Sequence, residues 1–253
     1  FQIWLALSGI MRKSQISLFL KDIQLSIKRS KINASIILKE SDENAKYDLF
    51  QRLNTGGSDL SAQEVRNCML VMTNAGYFNW LKELVKNENF VYSTALSEKP
   101  LEQSYDVELA LRFILLACIE VEDIKSIGDV GIYLTDRMIE QAKNLDFDYD
   151  GARTLFNNTF ETLEEALSQN SFKRFNTNKD RHEGGFLVSV FEVVALGVAF
   201  NINSGTLCDL PDIPSKVQSM WEDRNFTDWA GSGLNASRRL PRLIPYGREL
   251  FCE

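Results

Sequence analysis

The chain has 253 residues, 44% hydrophobic and 25% charged, enough for one large or two small domains with a true core. Its formal net charge of −7 argues against a general nucleic-acid coat, which carries a basic excess, but leaves room for a local basic patch. Cys68, Cys118, Cys208 and Cys252 are far apart and form no C-x-x-C, which favours free thiols in a reducing cytoplasm. His182 is the one histidine, so a multi-histidine metal site is excluded. No signal peptide is visible.

Residues 1–15 fit a strand or a short turn equally well. Leu18, Phe19, Ile23 and Ile27 suggest a short helix followed by Lys28, Arg29 and Lys31. Those cations suit a helix C-terminus, and could also touch DNA. Ile32, Ala34, Ile36 and Leu38 alternate with Asn33, Ser35, Ile37 and Lys39, Ile37 being the imperfect position, and predict a half-buried strand, which needs partners to be stable. Ser41–Glu43 open a helix with Tyr47, Phe50 and Leu53 as its apolar stripe.

The stretch Phe50–Asn67, FQRLNTGGSDLSAQEVRN, is the most closely specified in the chain. Asn54 and the pair Gly56-Gly57 suit a tight helix exit. Ser61 and Glu64 have capping-box spacing, and Leu60 and Val65 can close as a hydrophobic staple. Val65, Cys68, Met69 and Met72 then share one helical face, with Gln63, Arg66 and Asn67 on the flank or back. Arg52 has two readings. It pairs with Glu64 or another carboxylate and pins the turn, or it joins the loop amides in holding an anionic group.

Phe50, Arg52, Asn54, Thr55, Gly56, Gly57, Leu60, Ser61, Glu64 and Arg66 match the F-x-R-x-N-T-G-G…L-S-x-x-E-x-R segment. In this the chain resembles the GmrSD-type, ParB-like domain family of bacterial restriction and anti-phage systems. The resemblance is specific up to about residue 90 and one of pattern beyond. It implies a nucleoside triphosphate with Mg2+ as cofactor in the full-length parent, DNA as a partner, sometimes modified, and a nuclease domain or subunit working beside it. It favours a place for Arg52 at or beside the ligand site. The family's upstream D-G-Q-Q-R-like motif is absent from this sequence, so the chain is expected to begin inside the domain.

Downstream, residues 76–86 predict a helix, and 87–104, polar with Pro100, predict a loop. Val107–Ile119 is apolar nearly all round, as in the middle of a bundle. Residues 127–144 form another helix. Asp146, Asp148 and Asp150 have an EF-hand-like spacing, but Asn157 stands where the closing glutamate would be, so a helix N-terminus is the better reading. Ala152–Leu167 carries the cleanest amphipathic stripe.

In 168–185, Lys173, Arg174, Lys179, Arg181 and His182 interleave with Phe172 and Phe175. Cations and aromatics together suit nucleic acid. The alternative is a polar loop with two phenylalanine anchors. His182 is a possible acid/base group or a plain surface residue. Residues 186–200 predict a buried helix, broken by Glu192 and too short for a membrane span, which needs ~20 apolar residues. Residues 201–214 read as a loop, a short helix starts at Val217, Met220 and Trp221, and Trp229, Gly231 and Gly233 mark turns. The tail holds Arg238, Arg239, Arg242 and Arg248, which bind phosphate or pair with the acidic body.

The expected fold is α+β and predominantly α: a partial ParB-like α/β part over 1–60 and a helical domain over 61–253. The expected function is nucleotide-dependent DNA recognition in a restriction or anti-phage system, incomplete and weak or inactive alone. Arg52, Asn54, Thr55, Gly56, Gly57, Glu64 and Arg66 are the nucleotide or phosphate candidates. Lys173, Arg174, Lys179, Arg181, His182, Arg238, Arg239 and Arg242 are the DNA candidates. No metal ligand or catalytic residue is assigned, and an oligomer is compatible with all of this. A cytoplasmic protein without membrane association is expected. The alternative function is a non-catalytic helical interaction module. A complete hydrolase, resting on carboxylates and His182 alone, ranks last.

Overall fold

The chain divides into two compact units, Phe1–Leu49 and Phe50–Glu253. The computed structural model describes residues 28–31, 60–231 and 233–253. In the first unit Lys28 and Arg29 are helical and exposed, and Ser30 and Lys31 follow outside the helix. The strand expected over 32–38 and the helix expected from Ser41 lie outside the described residues.

The second unit is predominantly helical with one small β-hairpin. Helix α1 (Ala62–Leu84) starts on the expected capping box. The Ser61 amide donates to Glu64 Oε2 at 2.7 Å, and the Glu64 amide donates to Ser61 Oγ at 3.2 Å. Two first-turn donors that the helix cannot satisfy itself are thereby paired. The sequence suggests two helices around Met72–Gly76; the structure joins them across a kink at Asn74 (φ −155°, ψ 93°). Asn74 Oδ1 accepts from the Tyr77 amide and its Nδ2 donates to the Ala142 carbonyl, so one side chain starts the second half and ties it to a neighbour.

Residues 87–104 are not a plain loop. They hold α2 (Glu88–Thr94) and α3 (Glu98–Glu102). The Asn87 side chain caps α2 by accepting from the Phe90 amide, and Phe90 is buried. A cap and one core anchor therefore stabilise a helix whose composition is polar.

Helix α4 (Tyr105–Leu116) is buried through Leu109, Ala110, Leu111 and Phe113, as its all-round apolarity predicts. Next come α5 (Val121–Ser126), α6 (Val130–Lys143) and α7 (Tyr149–Leu167). Asp148 caps α7 by accepting from the Gly151 amide, which is the helix-start reading of the acidic run. Phe156 and Phe160 of α7 meet Phe90 and Phe113 at centroid distances of 4.9–5.5 Å. These rings, two pairs edge to face and two tilted, form an aromatic cluster in the core of the unit.

The stretch 168–185 contains strands β1 (Arg174–Asn176) and β2 (Arg181–Glu183), antiparallel, with Phe175 opposite His182. Phe172 and Phe175 are both buried, so they are the core anchors of this segment. Helix α8 (Val188–Ser204) is buried on every side. It is followed by α9 (Ile213–Ser219), α10 (Arg224–Thr227) and α11 (Ala236–Leu250). Met220 and Trp221 thus follow the short helix instead of starting it.

Helices α8 and α11 cross backbone to backbone. A Cβ on Gly197 would collide with the Gly247 carbonyl, and one on Gly247 with the Val193 carbonyl. Asn201 of α8 donates from Nδ2 to the carbonyls of Gly197 and Arg248, both at 2.9 Å, and so pins the crossing. Arg248 Nη2 reaches the Ala117 and Ile119 carbonyls beyond α4. No helix among the described residues is long and apolar enough to cross a membrane.

Candidate functional site

Of the motif residues, Arg52, Asn54, Thr55, Gly56 and Gly57 lie outside the described residues. Glu64 and Arg66 are described, and both are engaged with protein. Glu64 is the reciprocal half of the cap. Arg66 is 3% exposed, its Nε donates to Gln63 Oε1, and its Nη2 donates to Glu108 Oε2 at 2.8 Å. This corrects the expected orientation of α1. Gln63, Arg66, Met69 and Leu70 face inward, whereas Met72 is 55% exposed. The inward face thus carries the Arg66–Glu108 ion pair to α4 as well as apolar side chains.

The Arg66–Glu108 pair is the first rung of a buried charge ladder. Glu108 Oε1 accepts from Arg112 Nη2 at 2.8 Å, and Arg112 Nη1 reaches Glu192 Oε1 at 3.3 Å. Arg239 closes the row, with Nε to Glu192 Oε2 at 2.6 Å and Nη2 to Glu192 Oε1 at 2.9 Å. Alternating signs thus run from α1 through α4 and α8 to α11. Glu192 is fully buried, 0% exposed. A carboxylate in that position is stable only because two guanidinium groups replace its water. For Arg112, burial works against the charge, and Glu108 and Glu192 more than restore it.

The ladder also decides the place of Arg239, a DNA candidate in the sequence. It is 8% exposed and tied bidentately to Glu192, so it belongs to the interior. Arg238 and Arg242, on the same helix, are exposed. The Arg242 guanidinium lies 5.2 Å from the Trp229 ring centroid, and Arg174 lies 5.9 Å from that of Trp221. Trp221 in turn packs edge-on against Phe226.

Lys173 is half-exposed and Arg174 exposed. Lys179 and Arg181 are exposed but share Glu183 at 3.3 and 3.9 Å. The His182 ring sits edge-on to Phe175 at 5.1 Å, and its Nδ1 has no hydrogen-bond partner among the described residues. Burial pushes its pKa below the ordinary histidine value, so the ring is neutral at pH 7.

The structure therefore brings Arg66 and Arg239 into one internal network and leaves Arg174, Arg238 and Arg242 on the surface. Sequence reasoning missed the ladder, although its signal was present. A lone glutamate in an otherwise apolar helix must be paired once buried, and Glu192 is such a residue. Among the described residues no group of three or more His, Cys, Asp or Glu side chains could hold a metal ion. Comparison of the chain with family models, curated proteins and solved structures finds no match.

Proposed function

We propose that this chain is a nucleotide-dependent DNA-recognition component of a bacterial restriction or anti-phage system, related to the GmrSD-type ParB-like domains. The observation that carries the reading is the run of ten matching positions between Phe50 and Arg66. In this proposal Arg52 and the Asn54–Gly57 loop hold a nucleotide phosphate. Glu64, locked in its cap, fixes where the loop enters α1. The exposed Arg174 and Arg242, each beside a half-buried tryptophan (Trp221 and Trp229), supply the cation and aromatic character that DNA contact uses. Without a D-G-Q-Q-R-like run in the sequence, hydrolysis by this chain is expected to be weak.

Duplex binding measured across a salt series tests the reading. Affinity should fall steeply with salt, and Arg174→Ala or Arg242→Ala should each reduce the log–log slope by about 1. No binding at low salt would overturn it.

A second reading has its own support. Val71 and Met72 on α1, with Val91 and Tyr92 on α2, are large exposed apolar side chains, as on a non-catalytic helical interaction module. Absence of both DNA and nucleotide binding would favour that reading.

A further inference from the structure

A cleft opens beside the start of α8. It has a volume of about 620 Å³, within the range of about 300–1,000 Å³ found for small-molecule pockets. Leu96, Pro100 and Leu187 form apolar walls. Tyr105 and Phe186 stand in it edge to face, with centroids 6.1 Å apart. Among the described residues no acidic side chain lines it, and the charged lining residue is Arg239.

The polar groups that converge on the cleft are mainly donors. Arg239 is more than nine-tenths buried. Nε and one Nη2 hydrogen go to Glu192, and one Nη1 hydrogen goes to the Leu234 carbonyl at 3.3 Å. A guanidinium carries five N–H groups, and the remaining ones have no protein acceptor among the described residues. The Tyr105 hydroxyl makes no hydrogen bond among the described residues either. Burial pushes its pKa up to about 12, so it keeps its proton and can donate. Helix α8 begins at the cleft without a side-chain cap, which leaves the Val188 and Ser189 amides open at the positive end of a long helix.

From this donor-rich, aromatic-walled cavity we infer that the cleft binds a mononucleotide, its base against Phe186 and Tyr105 and its phosphate among Arg239 and the first amides of α8. A phosphate alone would leave the rings unused, and a neutral ring would leave the donors unpaired. The inference is drawn from residues 95–239 alone and does not depend on the function proposed for Arg52 and the Asn54–Gly57 stretch.

Calorimetric titration of the full chain with AMP, adenosine and inorganic phosphate tests the inference. AMP should saturate one cleft site, with adenosine and phosphate each at least about tenfold weaker, a difference of roughly one decade in Kd. Gly185→Trp should abolish that binding, because a Cβ at Gly185 meets nothing within 4 Å and the added ring can fill the mouth without strain. Ser97→Trp, at another residue lining the cleft, is the second blocking variant if the first unfolds. Tyr105→Phe should weaken AMP several-fold, and Arg52→Ala should leave the cleft site intact. Two results would overturn the inference: no heat with AMP, or AMP binding that survives both blocking variants. Adenosine bound as tightly as AMP would overturn the phosphate placement. Loss of AMP binding in Arg52→Ala alone would assign the ligand to the loop and sink the cleft site, while sparing the family reading.

Discussion

Glu192 shows how one side chain can govern the interior of a helical bundle. Its carboxylate is fully buried and accepts from Arg112 and Arg239 on two other helices. Glu192→Ala would leave two guanidinium groups without their partner in a low-dielectric site. We expect a loss of about 3–5 kcal/mol of stability, the usual cost of breaking a buried pair from one side, measured by urea denaturation. His182 gives a second test at this scale. Its folded pKa lies below its ordinary value of 6.5, so between the two values the unfolded chain binds more protons than the folded one. Stability is therefore full above pH 6.5 and falls as pH drops towards the folded pKa. As the one histidine in the sequence, it can be followed by its ring proton resonances. Titration at or above 6.5 would contradict the burial argument. The fate of these residues was only partly readable beforehand. Arg239 carries the same sequence signal as Arg238 and Arg242, and only the helix face it occupies separates interior from surface.

Among the elements, apolar density proved the most legible property. α4, α7 and α8 stand where periodicity places them, because each has enough apolar side chains to fix its face. Short elements escaped for the opposite reason. Strands β1 and β2 span three residues each, too few for an alternation to register. Helices α2 and α3 are polar, and α2 exists through the Asn87 cap and the burial of Phe90. The α8–α11 crossing was also invisible, since a glycine in a helical pattern does not say what approaches it. Gly247→Ala would push a methyl group into the Val193 carbonyl. The cost should be about 1–3 kcal/mol, as for other overpacked sites, read as a lower thermal midpoint. Asn201, which bonds to both helices at that crossing, limits how far they can separate in response.

For the whole molecule, the net charge of −7 says little about the charges that matter most. The ladder is internal and nearly balanced, so it is silent in solubility and in long-range steering. Arg174, Arg238 and Arg242, by contrast, are exposed, so their charge acts at the surface. The central motif illustrates the division between local and global information. Its capping box was legible to the residue, because caps are written within four positions. The pairing of Arg66 with Glu108 was not, because it joins segments 42 residues apart and depends on how the helices are stacked.

The same ladder constrains how this sequence can drift. A change at any single rung strands its neighbours, yet exchanging a whole buried ion pair for well-packed apolar side chains can be neutral or even favourable. Viable descendants would therefore alter Glu192 and Arg239 jointly, with Arg112 adjusting beside them. In an alignment, these positions would vary as a block: either all charged or all greasy, with few half-converted chains surviving in between.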